Sequence, residues 1–362
     1  MMLRVLLIAL TALSTPIAIQ RQDNSSAEVE LQKGIALTRS GKFEEAIPHF
    51  VAARGRVRDD YAVRFNLALC YTATAQYPSA IELLNELRSG GNANADVLNL
   101  LTRSLFGSRQ PEKAMSAFED AARLAPKNEK LYVQIAEASM DNGYYELGRH
   151  LVETGLKQLP RSARLVFEGA MLLVHLDFLD EAKQELQRVS ELAPGSDVAY
   201  MAATQKNLFI GEVNEARRVA SEGIRKGIRH FMLLTLYGEA VLSSGAEPDS
   251  KEFGEGRDAL EQAVHQQPGY ASAQLALGRL HMLEGRFEKA LTHLEAAREL
   301  DPGNPAVYSN LVRALRGNGD TTRAEEMLAI LSKLNQEEIE RIRSAPGDRK
   351  PGYGGRRRPR WE

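Results

Sequence analysis

The chain has 362 residues, of which 43% are hydrophobic and 26% are charged. These are ordinary values for globular proteins and exclude a chain that is disordered throughout. The formal net charge of −2 argues against a general electrostatic attraction to nucleic acid, so no nucleic-acid partner is expected. The single cysteine, Cys70, excludes an intramolecular disulfide. It is predicted to be a small buried core residue.

The first 20 residues are typical of a signal peptide. Arg4 precedes an apolar run over residues 5–13, and small residues follow up to Ala18, as cleavage requires. Pro16 interrupts the apolar stretch, which is shorter than the roughly 20 residues that a membrane-spanning helix needs. We therefore expect a cleaved signal peptide over residues 1–20, export to the periplasm or the exterior, and a polar linker over residues 21–26. An uncleaved anchor is the alternative.

An internal repeat with a period of 34 residues organises the chain from Ala27 to residue 338. Only the seventh of the nine repeats departs from this period, by six extra residues near 246–251. The repeats start at residues 27, 61, 95, 129, 163, 197, 231, 271 and 305. Repeats of this length are typical of stacked helical hairpins.

The twentieth position of every repeat is alanine or glycine, which predicts that two helices approach closely there. The eighth position is also small in eight repeats, and the fifteenth is glycine in six, where it marks a turn. The twentieth positions are Ala46, Ala80, Ala114, Gly148, Ala182, Ala216, Gly256, Ala290 and Ala324.

Segments 41–46 (GKFEEA) and 285–290 (GRFEKA) resemble the helix-turn-helix signature of the tetratricopeptide repeat family. The resemblance covers residues 27–338. It implies an all-α fold, a right-handed superhelical solenoid of helix-turn-helix repeats, which binds other proteins along the surface lined by the first helix of each repeat.

Two segments follow the last repeat. Residues 339–344 are predicted to complete a polar capping helix, because a solenoid must cover its last apolar face. Residues 345–362 are rich in Pro, Gly and Arg and are predicted to be a basic disordered tail. The tail is mainly a solubilising terminus in this interpretation, and contact with a membrane or an anionic polymer is a weaker alternative.

No motif for catalysis is found, and the chain is predicted not to be an enzyme. It has no phosphate-binding glycine loop before a helix, no Gly-x-Ser-x-Gly and no His-Glu-x-x-His. The seven histidines are scattered, although His281 and His293 lie on the two helices of one repeat and could approach each other. Neither a cofactor nor a metal site is predicted.

In the tetratricopeptide repeat family, groove residues fall at positions 2, 5, 9, 12 and 13 of each repeat. These positions give a mixed polar zone in repeats three and four, an apolar zone in repeats five and six, and a basic end. The known carboxylate clamp and asparagine ladder of the family are not matched. The candidate partner-binding residues are Phe167, Met171, Val174, Met201, Leu208, Phe209, Arg103, Glu137, Arg279 and Arg313.

The apolar zone can be interpreted in two ways. An exposed patch with Phe and Met would be a docking surface for a peptide or an amphipathic helix, or these side chains merely pack between neighbouring repeats. The sequence favours a non-catalytic scaffold that binds a segment of an exported partner in this groove. The alternatives are an envelope-tethered adaptor that uses the basic tail and a non-catalytic subunit of an enzyme complex.

Overall fold

A computed structural model of the chain describes the backbone of residues 17–344. Most of the predicted signal peptide (residues 1–16) and the basic tail (345–362) lie outside the described residues. Between residues 17 and 344 the chain forms α-helices joined by short turns and contains no strand. The prediction of an all-α fold built from helical hairpins is confirmed.

The helices fall into two compact units that divide after Asp177. Unit 1 contains α1 (Ile17–Arg39), α2 (Phe43–Ala53), α3 (Asp60–Ala73), α4 (Tyr77–Ser89), α5 (Ala95–Gly107), α6 (Pro111–Leu124), α7 (Glu129–Asp141), α8 (Tyr145–Gln158) and α9 (Ala163–His175). Unit 2 contains α10 (Leu179–Leu192), α11 (Asp197–Phe209), α12 (Val213–Arg225), α13 (Phe231–Ser243), α14 (Lys251–Gln266), α15 (Ala271–Leu283), α16 (Phe287–Leu300), α17 (Pro305–Gly317) and α18 (Thr321–Ser344).

The first helix is longer than predicted, whereas the last helix continues as predicted. Helix α1 begins at Ile17 and runs through residues 21–26, which were predicted to be a linker. Neither glycine nor proline interrupts the chain between Ile17 and Lys33, so nothing in the backbone ends the first helix there. At the other end, residues 339–344 continue α18 without a break.

Small residues bring the two helices of a repeat into direct contact. A Cβ atom added at Gly238 on α13 would lie 2.4 Å from Leu260 Cγ on α14, and one added at Gly278 on α15 would lie 2.7 Å from Leu294 Cγ on α16. These pairs occupy the eighth and twenty-fourth positions of their repeats. All nine twentieth-position residues are buried as well. The helices therefore approach so closely that the side chain of one fills the space left by the missing side chain of the other.

The fifteenth position of every repeat has a left-handed backbone. Six repeats have glycine there, with φ between 71° and 83°. The other three have Ala75 (φ 57°), Arg109 (φ 59°) and Asp177 (φ 64°). Because a Cβ atom disfavours this region, these three residues store backbone strain.

Ala75→Gly is expected to raise the free energy of unfolding by about 0.5–1 kcal/mol, because relief of the left-handed strain exceeds the entropy gained by the unfolded chain. Denaturant unfolding measures the change. Ala36→Gly, at an exposed helical position, is the matched control and should lose about 1 kcal/mol. Equal losses in both variants would contradict the assigned turn geometry.

Gly238→Ala is expected to lower the free energy of unfolding by about 1–3 kcal/mol, because the new methyl group would overlap Leu260. The control is Gly269→Ala, since a Cβ atom there meets no atom within 4 Å. Thermal and denaturant unfolding compare the two variants. If Gly238→Ala were as stable as its control, the close helix contact described above would be wrong.

Candidate binding groove

The odd-numbered helices of each unit form an inner layer. In unit 1, α3 contacts α5 and α5 contacts α7; in unit 2, α11 contacts α13 and α13 contacts α15. Among the described residues of each unit, no even-numbered helix contacts another even-numbered helix. The stack is therefore tighter on the odd-numbered side, which makes that side concave. We call the solvent-facing side of the odd-numbered helices the inner face.

The ninth position of each repeat stays accessible on the inner face. Every one of these residues is half-buried or exposed, in contrast to the buried eighth and twentieth positions. Five predicted site residues lie in this row, namely Arg103, Glu137, Met171, Arg279 and Arg313. The row reads Ile35, Leu69, Arg103, Glu137 and Met171 in unit 1, and Gln205, Glu239, Arg279 and Arg313 in unit 2.

Phe167 and Met201 do not belong to an exposed surface. Phe167 on α9 is 1% exposed and Met201 on α11 is 0% exposed. Both occupy the fifth position of a repeat, where α9 packs against α7 and α11 packs against α13. The prediction that they form part of an exposed apolar patch is wrong, because neighbouring first helices cover this position.

The remaining apolar candidates are only partly accessible. Met171 and Val174 on α9 and Leu208 and Phe209 on α11 are half-buried. The first pair belongs to unit 1 and the second to unit 2. Each pair offers a small apolar area near the end of its helix.

The structure brings Arg103 and Glu137 together in unit 1. Glu137 and Asp141 on α7 reach solvent, yet desolvation by the surrounding groove raises the pKa of both carboxyl groups. The Arg103 guanidinium on α5 opposes this effect at both carboxyl groups, and its own pKa is lowered by desolvation. Tyr77 lies at the same place, since Arg103 and Asp141 both act on the pKa of its hydroxyl group.

Glu168 on α9 is the most deeply placed charged group of unit 1. It is 3% exposed, and burial, followed by repulsion from Glu137, raises its pKa to about 8. Arg164 on the same helix lowers that pKa and Asp141 raises it further. Unit 1 thus holds three carboxyl groups and two guanidinium groups in one desolvated cluster.

The inner face of unit 2 is basic. Desolvation and the neighbouring Arg313 both lower the pKa of Arg279. Glu239 on α13 is the carboxylate beside them, and desolvation raises its pKa to about 7 although Arg279 opposes the shift. Two predicted residues, Arg279 and Arg313, therefore lie together on the inner face of unit 2.

Sequence reasoning missed Glu239, Arg164 and Glu168. Glu239 could have been found, because it occupies the same ninth position as the predicted arginines. Arg164 occupies the second position, which is also a groove position. Glu168 at the sixth position gave no such signal, because its burial depends on how neighbouring helices pack.

The histidine pair and the cysteine have structural roles. The His281 and His293 rings stack with centroids 5.6 Å apart, and their Nδ1 atoms contact Glu284 at 3.0 Å and Gln274 at 2.8 Å. Within the described residues, no group of three or more His, Cys, Asp or Glu side chains is placed to hold a metal ion. Cys70 is fully buried, as predicted, and burial raises the pKa of its thiol.

None of the helices between residues 17 and 344 combines the length and the apolar character needed to span a bilayer.

Comparison with known sequences identifies the repeats. Models of the tetratricopeptide repeat match residues 37–103, 249–305 and 281–345. "Anaphase-promoting complex subunit 7" of Arabidopsis thaliana is 24% identical over 263 residues, which cover 70% of this chain and 38% of that protein. The chain therefore spans less than half the length of this curated relative.

Two solved structures are similar to this chain at low sequence identity. The structure titled "APC/C hetero-tetramer Cut9-Hcn1" has a TM-score of 0.50 at 12% identity, covering 86% of this chain and 74% of that one. A tetratricopeptide repeat protein from Parabacteroides merdae has a TM-score of 0.42 at 15% identity, covering 80% and 99%. The matched models and the repeated hairpins agree that the chain contains tetratricopeptide repeats.

Proposed function

We propose that the chain is a non-catalytic scaffold whose inner faces bind a segment of another protein, either a peptide or an amphipathic helix. The observation that carries the proposal is a set of charged residues on the inner faces, Arg103, Glu137 and Arg313, that make no ion pair within the described residues. Some charges of the outer layer instead pair across neighbouring repeats.

The outer pairs join successive second helices. Arg88 on α4 contacts Asp120 on α6 at 3.0 Å, and Arg323 on α18 contacts Glu295 on α16 at 2.6 Å. Such exposed pairs contribute little to stability.

Three charged residues of the inner faces have no oppositely charged partner of this kind. Arg103, Glu137 and Arg313 make no ion pair within 4.0 Å to any described residue. The ninth-position residues beside them include apolar Leu69 and Met171. A partner segment with both apolar and charged side chains would match this combination, because exposed apolar groups supply affinity and unpaired charges supply orientation.

Export is part of the proposal and rests on residues 1–20. Their short apolar run and the small residues after it support a signal peptide, so the partner would be an exported protein. A tether through the basic tail remains the alternative attachment to the envelope.

One comparison favours a second candidate, a subunit of a larger complex. The curated relative is named as a subunit of the anaphase-promoting complex. A non-catalytic subunit would use the same inner faces to hold another member of its assembly.

Site-specific photo-crosslinking in the source cells tests the scaffold. A photoreactive p-benzoylphenylalanine replacing Met171 or Gln205 on the inner faces should form protein adducts. The same residue replacing Glu119 on α6 or Arg225 on α12, both exposed on outer helices, should form few. Equal adducts from inner and outer positions would refute a groove-binding scaffold.

Charge reversal then tests the unpaired residues. Glu137→Arg and Arg313→Glu should each reduce the adduct formed in the same unit by about tenfold, which corresponds to a loss of about 1.4 kcal/mol. Glu119→Arg and Arg225→Glu are the matched controls and should leave the adducts unchanged. Equal reduction by inner and outer reversals would show a non-specific effect of charge.

The export proposal predicts a processed N-terminus. Mass spectrometry of the protein recovered from its natural compartment should find the first residue between about 14 and 21, because small residues near Ala18 define the cleavage region. An unprocessed chain recovered only from the cytoplasm would contradict export without bearing on the scaffold.

A further inference from the structure

The inner face of unit 1 carries more carboxyl groups than guanidinium groups. Glu137 and Asp141 lie on α7 and Glu168 on α9, against only Arg103 and Arg164 as cations. The Coulomb effects among these five groups show that they form one cluster. If all were ionised, the cluster would carry a net charge of −1.

One deeply buried acceptor in this region lacks a donor. Asn99 on α5 is 7% exposed, and its Oδ1 atom has no hydrogen-bond partner among the described residues. Buried polar groups are nearly always hydrogen-bonded, so this unmatched acceptor needs an explanation.

Asn99 connects the two sides of this cluster. It lies one helical turn before Arg103 on α5. Its Nδ2 atom donates to Gln134 Oε1 on α7 at 2.9 Å, and Gln134 lies three residues before Glu137. The unmatched acceptor of Asn99 therefore lies on the same face of α5 as Arg103, beside the helix that carries Glu137 and Asp141.

We propose that the inner face of unit 1 recognises a lysine or arginine side chain of the bound protein segment. The cation would be received by Glu137, Asp141 and Glu168, while a backbone N–H group of the same segment would supply the donor that Asn99 lacks. This inference rests on the proposed scaffold function and specifies the chemistry of its partner. An acidic segment would add negative charge to a cluster that already has excess carboxyl groups.

A metal ion is a poorer occupant. Within the described residues, no group of three or more candidate ligands is arranged to hold one. A long flexible side chain needs no such convergence, because a single ammonium or guanidinium group can donate to carboxylates on different helices.

Binding of a cation at this place would be coupled to proton release. Burial raises the pKa of Glu168 to about 8, with Glu137 and Asp141 of α7 raising it and Arg164 of α9 lowering it. The carboxyl group is thus protonated in the free protein near neutral pH. A cation favours the ionised form, so affinity should increase as the pH rises towards 8 and level off above it.

A random twelve-residue peptide library displayed on phage and selected on the immobilised full chain tests the inference. The wild type and the outer-helix control Glu119→Gln should select peptides with lysine or arginine at one shared position. Glu137→Gln and Glu168→Gln should lose that preference. Both variants should show wild-type helicity by circular dichroism, because glutamine resembles the neutral acid in size and hydrogen bonding.

The outcomes separate this inference from the scaffold itself. Peptides that depend on the inner face but carry neutral or acidic residues at the shared position would overturn cation recognition and leave the scaffold intact. Peptides selected equally by the wild type and by the reversals Glu137→Arg and Arg313→Glu would overturn the scaffold as well.

A selected peptide, resynthesised with a fluorophore, tests the coupling to Glu168. Its dissociation constant for the wild type should fall about tenfold between pH 6.5 and pH 8.5, but stay within about twofold for Glu168→Gln. Replacement of its lysine by norleucine should weaken binding about tenfold and remove the pH dependence. Equal pH dependence in the wild type and in Glu168→Gln would overturn the coupling to Glu168. If spermidine displaced the labelled peptide at the same concentration as the unlabelled peptide does, the assignment of the cation to a protein side chain would be wrong.

Discussion

The close approach of two helices within each repeat is the constraint on which the rest of the structure depends. Leu260 fills the space that a side chain at Gly238 would occupy, and Leu294 does the same opposite Gly278. The relation recurs farther along the second helix, where Gly155 lies against Tyr132 and Gly223 against Tyr200. Small residues at these positions set the distance between the helices, and that distance sets how repeats stack.

The junction between repeats follows from the same packing. In three repeats the side chain of the fourth residue donates to the carbonyl group of the proline that precedes the repeat. Tyr132 donates to Pro126 O at 3.1 Å, Tyr308 to Pro302 O at 2.9 Å, and Gln274 to Pro268 O at 2.9 Å. The carbonyl group at the end of one repeat is thereby satisfied by the first helix of the next, so the turn is fixed without a disulfide or a metal.

Features that depend on spacing could be predicted from the sequence, whereas features that depend on contacts between repeats could not. The helical hairpins and the turn glycines follow from residues close together in the chain. The burial of Phe167 and Met201 depends on neighbouring first helices, so the periodic pattern alone placed them wrongly on the surface. The extra residues of repeat seven show an intermediate case: part lengthens the connection between α13 and α14, and part lengthens α14 to 16 residues.

Part of the candidate site could be predicted from the sequence and part could not. The ninth position of each repeat lies on the inner face, and this rule identified Arg103, Glu137, Arg279 and Arg313. The ionisation of Glu168 could not be inferred from its position in the repeat. Its raised pKa arises first from loss of solvent between the helices and then from the carboxyl groups of α7, one repeat away.

The distribution of charge separates the requirements of folding from those of binding. Many outer charges form exposed pairs, which add little stability. Glu168 instead lowers stability, because burial raises its pKa to about 8 in the folded protein and the free energy of unfolding therefore falls as the pH rises from the ordinary range of a glutamate towards 8. Stability alone would favour an apolar residue at that buried position. The desolvated carboxyl group of Glu168, beside Glu137 and Asp141, can instead interact strongly with a cation once the cation has displaced its proton. Such a group contributes to binding and not to folding, as expected of a binding surface.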